Sequence, residues 1–264
     1  MRKAFPVEFV YQVFCLLTAF IVVHGAYVLA VRPQAEAFLE REAAAMKEDP
    51  NRVEQDSFFV VIKDYEQEAC FILMLWAMAI LGFKAVTTYR EQRLLDSDLL
   101  GLPESMPIGR EDTRELRERI ESLPSPEPEM LPARALLTGV ERYAATGNIQ
   151  DVSTATRDVC ESEGERLESE LSIIRYIAWA IPSVGFIGTV RGIGDALSLA
   201  HRAVQGDITG VTASLGTAFN STFIALVLSI VLMFLVHQLQ LMQERLVLDS
   251  ERYVDSSLIR RLRS

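Results

Sequence analysis

The stretch IPSVGFIGTVRGIGD, residues 181–195, decides the fold, and it permits two opposite readings. A proline, Pro182, opens it. Four glycines follow, at Gly185, Gly188, Gly192 and Gly194, and Arg191 and Asp195 close it. It is either a loop that cradles a phosphate or a helix whose side chains were removed to admit a close neighbour. The spacing G-x-x-G-x-x-x-G-x-G matches neither the dinucleotide fingerprint nor the phosphate-binding loop, and no Lys-Ser or Lys-Thr pair follows. The stretch also lies inside a long apolar run. An open loop there would leave backbone N–H and C=O groups unpaired in lipid. The helix reading holds. Gly188 and Gly192 form a GxxxG, and Gly185 adds a third smooth position, so helix backbones can approach closely here. Pro182 removes one backbone hydrogen bond and is placed to kink the helix.

Working outward, the chain of 264 residues is 50% hydrophobic and 23% charged, with a net charge of -10. Such a mixture predicts apolar spans alternating with charged segments. Four apolar runs stand out, ending near residue 31 and covering 69–88, 173–199 and 215–237. Each is close to the ~20 residues a helix needs to cross the hydrocarbon. The first run exceeds the ~7–15 residues of a signal-peptide core and is read as a span. With the N-terminus placed in the cytoplasm, the inner segments hold 17 Lys and Arg against 6 in the outer loops, as the positive-inside rule requires.

The predicted organisation is therefore a cytoplasmic N-terminus with the first span, 1–31, then an extracytoplasmic loop, 32–68. The loop is helix-compatible and broken at Asp49-Pro50. The second span is 69–88. A cytoplasmic helical domain with a proline-rich connector occupies 89–172. The third span is 173–199, an outer loop is 200–214, the fourth span is 215–237, and a cytoplasmic helix fills 238–264. Within 89–172, YREQRLLDSDLL reads as a polar helix. GLPESMPIG and LPSPEPEMLP read as connector. EDTRELRERIESL is a helix with an apolar stripe at Leu116, Ile120 and Leu123. Gly147-Asn148 marks a turn, after which a helical pattern runs unbroken into the third span. The fold class is an all-α integral membrane protein, with four transmembrane helices and long cytoplasmic helical extensions.

Several functions are excluded. The acidic balance argues against nucleic acid. Cys15, Cys70 and Cys160 have no ligand spacing, and His24, His201 and His237 are far apart, so no metal site, cofactor or catalytic triad is indicated. His24, inside the first span, reads as a helix-contact or lipid-edge residue. No inverted repeat of the transporter kind is present. The chain is not read as an enzyme.

The polar residues inside the last two spans remain. Thr189 and Thr222 each lie about 17 residues from the Gln205-Gly206 turn, so an antiparallel pair of helices with equal rise brings them to one depth. Thr217, Asn220 and Ser221 crowd the same end of the fourth span. Such hydroxyls either bridge two helices or line an ion path through an apolar wall. Arg191 and Asp195, at i and i+4, read as an ion pair on the far side of the third helix from Thr189. The chain has no obvious carboxylate at the threonine level, so a titrating group there is expected from a partner.

IPSVGFIGTVRGIGDAL followed by LGTAFNSTFIALVLSI resembles the MotA/TolQ/ExbB proton-channel family, over about a third of the chain. The matching elements are the proline, the glycine, Gly-Thr-Val-x-Gly, and Ala-Phe-x-x-Thr in the next span. Two spans ahead of a large cytoplasmic segment are similar to the flagellar-stator branch, while Gly188-Thr189 is more like the TolQ/ExbB branch. The resemblance implies a ring-forming homo-oligomer, a pentamer, in the bacterial inner membrane with both termini cytoplasmic. The ring would surround two copies of a single-span partner of the MotB/ExbD/TolR kind, whose intramembrane aspartate carries H⁺ or Na⁺. It implies that Thr189 and Thr222 face that aspartate and that Pro182 couples ion flow to movement. Where TolQ/ExbB-like members carry a glutamate, five residues before the last threonine, this chain has Thr217. The implied function is an ion-channel or stator subunit converting ion motive force into rotary work. The alternative is a non-conducting membrane scaffold or sensor.

Overall fold

The computed structural model of the chain describes residues 7–48, 57–103 and 106–263. The Asp49-Pro50 break, the Arg2-Lys3 start and part of the GLPESMPIG connector lie outside the described residues. The described residues are helical, with no strand among them, and they include four helices long and apolar enough to cross a membrane. They fall into two compact units. One combines Met1–Leu81 with Ile173–Val236, the other Gly82–Ser172 with His237–Ser264.

In the first unit, α1 (Val7–Ala26) passes through a wider π turn, Tyr27–Val31, into α2 (Arg32–Glu48). The short α3 (Phe58–Ile62) precedes α4 (Tyr65–Leu94). Then come α8 (Ser172–Ser198), α9 (Ala200–Val204) and α10 (Thr209–Ser257), after the three helices of the second unit described below. The span boundaries expected from hydropathy fall short of these helices. The segment 32–68 is largely helix, α4 begins four residues before position 69, and α10 begins at Thr209. Charge ends an apolar run without ending a helix, because Glu, Lys and Arg are good helix formers. Glu66 and Glu68 occupy the first turn of α4, where negative charge complements the helix dipole.

Packing in this unit departs from the soluble pattern. Small residues, Ala19, Ala35, Ala77, Ala218 and Ala225, are buried together with Ile80, Ile174, Ile177, Ile181 and Leu232, while Phe14, Ile21, Leu29, Trp179, Phe186, Ile230 and Phe234 are exposed. Lipid does not drive large apolar groups inward, so many stay outside and small residues let helices approach. α1 and α4 are also tied by polar atoms. Tyr11 OH donates to Ala79 O at 3.2 Å, and Trp76 Nε1 donates to Gln12 O at 2.9 Å. Tyr27, Val31, Ile62 and Ile224 form a small apolar cluster.

The second unit buries large residues. It contains α5 (Thr113–Glu121), α6 (Leu131–Thr146) and α7 (Ile149–Glu170), with the ends of α4 and α10. Ile108, Ile120, Leu131, Leu136, Leu246 and Leu258 are fully buried in one core. The predicted stripe lies here: Leu116 and Ile120 inside, Leu123 packed at the edge. The polar helix expected over YREQRLLDSDLL stops early, since α4 ends at Leu94. Gly147 ends α6 with φ +65°, a conformation that glycine adopts without strain. The Asn148 side chain then caps α7 by accepting from Gln150 N–H at 2.9 Å. The helix expected to run unbroken into the third span is interrupted once. Leu171 forms a tighter turn, its N–H bonding to Glu168 O at 3.2 Å, between α7 and α8. The chain end pairs with the connector, where Ile108 N–H donates to Arg261 O at 2.7 Å and Arg263 N–H to Ile108 O at 3.0 Å.

Candidate functional site

The site is built from α8 and α10, and it starts with the glycines. A Cβ added at Gly192 would lie 2.8 Å from both Ser214 O and the Ala218 Cβ. One at Gly188 would lie 2.6 Å from Ser221 Cβ. One at Gly185 would collide with Ala225 Cβ and approach Ser221 O at 3.0 Å. All three glycines therefore let the two backbones touch. Gly194 has open space where a Cβ would be and takes no part.

Close backbones bring carbonyls within reach of side chains on the other helix. Thr189 Oγ1 donates to Ala218 O at 3.0 Å, and Thr222 Oγ1 donates to Gly185 O at 3.2 Å. The arrangement is reciprocal. Gly185 lies four residues before Thr189, and Ala218 four before Thr222. Each hydroxyl thus bonds the carbonyl that its partner's own helix would offer for back-bonding. The two hydroxyl oxygens also touch each other. Two protons face three acceptor positions, so a proton turned toward the other hydroxyl releases a carbonyl. Each threonine oxygen has two lone pairs, and the pair can accept from an approaching donor or cation without breaking the seam.

Pro182 sits inside α8 and cannot donate to Ala178 O, four residues earlier. That carbonyl is taken by Ser229 of α10, whose Oγ donates to it at 2.9 Å. Ser229 was not singled out from sequence. A serine seven residues after Thr222 on one helix face is the signal that points to it, since two turns return to nearly the same side.

Thr217 and Asn220 are half-buried. Ser221 is buried and turns from the threonine pair toward α4. Its Oγ donates to Thr217 O at 2.9 Å and accepts from Gln67 Nε2 at 3.4 Å. Gln67 is fully buried and also donates to Val61 O at 3.1 Å.

Two expectations need correction. Arg191 does not pair with Asp195. Its Nη2 lies 2.8 Å from Glu66 Oε2 on α4, while Asp195 is exposed. The i,i+4 spacing allowed a pair within one helix, but a partly buried carboxylate on a neighbouring helix, screened less by solvent, is the better partner. A carboxylate also reaches the threonine level. Glu66 Cγ lies 3.1 Å from the Cβ position of Gly188, the residue before Thr189. Two residues along a helix turn by about 200°, so Glu68 faces away from Glu66. It is buried between His24, whose Nδ1 is 2.6 Å from Oε1, and Arg32. His24 thus contacts another helix. Asp64, just before α4, is raised above the ordinary carboxylate range by burial, an effect opposed by Lys63 and Arg191 and by the Thr217 hydroxyl.

No curated protein and no solved structure matches the chain. Residues 128–252, just under half of the chain, match the family model described as the MotA/TolQ/ExbB proton channel family. The matched segment contains α8, both threonines, Ser229 and most of α10. Over this segment the chain is similar to the MotA/TolQ/ExbB proton channel family, a family whose function is of the proton-channel type, in energy transduction.

Proposed function

We propose that this chain is the ring-forming subunit of an ion-driven motor in a bacterial inner membrane. Five copies surround two single-span partner helices, and each partner presents an intramembrane aspartate to Thr189 and Thr222. The carrying observation is the reciprocal hydroxyl–carbonyl pair on a glycine seam. It offers polar atoms inside a span, and the carboxylate that reaches its level, Glu66, is held in an ion pair with Arg191, so the titrating group comes from a partner. Thr217 and Asn220 extend the path at the same end, and Ser221, turned toward α4, backs it. Moving one charge through 100 mV releases ~2.3 kcal/mol, enough to drive a small rotation per ion. Both termini are cytoplasmic, the transported H⁺ or Na⁺ is the only ion involved, and the chain is not an enzyme.

The test has two parts. The full chain, affinity-purified from native membranes, should bring down a single-span protein with an intramembrane aspartate. In vesicles holding both proteins, Thr189→Ala with Thr222→Ala should reduce ion flux by at least tenfold while the oligomer keeps its mass. Wild-type flux in that double variant sinks the pathway. An assembled ring with neither partner nor flux is instead a scaffold or sensor.

A further inference from the structure

The core of the second unit takes in most of its large apolar side chains, but Leu248 of α10 is 51% exposed. It stands at a groove of about 350 Å³ between α7 and α10, beside Leu167, Val247 and the bare backbone of Gly164. Water drives such side chains inward. An open apolar groove on a charged, water-facing unit therefore marks a surface that something covers.

Gly164 is a second sign. Within 4 Å, a Cβ there would meet only Val247, at 3.8 Å, an ordinary contact. The packing of α7 on α10 thus does not require glycine, and a glycine inside the 22-residue α7 weakens that helix. What it provides is open wall for a close neighbour.

Gln243 is the third sign. Its side chain lines the groove at 4% exposure, and its Oε1 has no hydrogen-bond partner among the described residues. A buried amide oxygen without a donor is costly. Its terminal torsion is soft, so the amide can turn its oxygen to an N–H brought into the groove. Glu168 and Glu244 stand exposed at the rim. Glu244 accepts from the neutral Gln240 amide at 3.2 Å, which leaves its charge in place. The unit as a whole holds 23 Asp and Glu against 16 Lys and Arg. A second copy of this chain would bring like charge to the groove, whereas a basic segment is attracted.

We propose that the α7–α10 groove docks a basic amphipathic helix of a partner protein. From Gln240 to Leu248 α10 advances about 12 Å, so the groove holds about two turns of the incoming helix. Its apolar residues, at i and i+3 or i+4, cover Leu167, Val247 and Leu248. An arginine or lysine lays its stem on that wall, donates to Gln243 Oε1 and meets Glu244. This docking does not depend on the threonine pathway.

The experiment uses the full chain in lipid nanodiscs and a short synthetic helix. The helix carries leucines at i, i+3, i+4 and i+7, arginines beside them and a photoreactive residue at its centre. Mass spectrometry after irradiation should place the adduct within 164–168 or 240–248. Binding read by fluorescence anisotropy should weaken at least tenfold in Leu248→Asp and in Glu244→Lys. It should change less than twofold in Glu118→Lys, the same charge change on α5. Gly164→Leu should block binding while the melting temperature holds. Gln243→Leu should lose affinity several-fold with stability unchanged or raised, because the orphan oxygen is gone. Lowered stability with unchanged affinity would give Gln243 a structural role and overturn its part in docking. Equal losses in Glu244→Lys and Glu118→Lys would reduce the attraction to a diffuse field and overturn the proposal. An adduct elsewhere, or none, overturns it as well. If the peptide fails to bind and Leu248→Asp breaks the oligomer, a second copy covers the groove instead.

Discussion

The α8–α10 seam and the core of the second unit solve the same packing problem in opposite ways. In the core, Ile120, Leu131, Leu136 and Leu246 are fully buried, and charged residues such as Arg114 and Glu118 face out. In the seam, Gly185, Gly188 and Gly192 meet Ala218, Ser221, Thr222 and Ala225, while Phe186, Ile187, Val190, Phe219 and Phe223 point away. Water drives large apolar side chains inward. Lipid gives no such drive, so close backbone contact decides. The seam gains what a leucine core lacks, namely backbone carbonyls open to hydroxyls from the other helix.

The largest effect that tests this contrast belongs to the core. Leu136→Ala should cost about 2–5 kcal/mol, the lost transfer energy of a fully buried side chain plus the cavity it leaves. Urea unfolding followed by a probe in the second unit reads it. Next comes the seam. Gly192→Val should cost about 1–3 kcal/mol, because the new atoms meet Ser214 O and the Ala218 Cα, which are backbone and cannot swing aside. Gly194→Ala, two residues on, has open space and should be neutral or stabilising by up to ~1 kcal/mol through helix propensity. Equal thermal stability of those two variants in detergent would break the seam reading.

A smaller effect follows at the proline. Ser229→Ala removes the donor to Ala178 O and leaves that carbonyl unpaired beside Pro182. The cost should be about 1 kcal/mol. Hydrogen exchange should rise locally on α8 and not across the second unit. Unchanged exchange there would mean that the freed carbonyl needs no cap.

The sequence carried the spans and the seam further than it carried the charges. Apolar runs locate four helices because hydropathy is a local sum, and equal residue counts from one turn place Thr189 and Thr222 at the same level. The partner of Arg191 was not legible in this way. Glu66 lies in a charged segment that hydropathy assigns to a loop. Its reach to Gly188 depends on where α4 starts, at Tyr65, and on how that helix meets α8. The Ala178–Ser229 bond was closer to legible, because proline at 182 names the orphan carbonyl, though not the residue that satisfies it. The Leu171 turn had no glycine or proline to announce it.

A pH effect also distinguishes the two packings. Cys160 lies in α7, outside the segment read as spanning the membrane, and it is buried in the leucine-rich core. Burial pushes its thiol up to about 11, with Glu251 adding to the rise and Arg134 opposing it. The thiol is neutral in the folded state up to that range, while in the unfolded chain it ionises near the ordinary ~8.5. Between those values the unfolded state binds fewer protons, so stability falls as pH rises. By pH 10 the loss attributable to this group should be about 1–2 kcal/mol relative to pH 8. Cys160→Ala should remove that part of the slope, although the variant starts lower because it loses the sulfur's packing. Iodoacetamide at pH 8 should modify the native thiol far more slowly than the unfolded one. A wild-type slope equal to that of Cys160→Ala between pH 8 and 10 would mean that the core around Cys160 admits water. The second unit would then lack the dry, side-chain-filled interior that sets it apart from the seam.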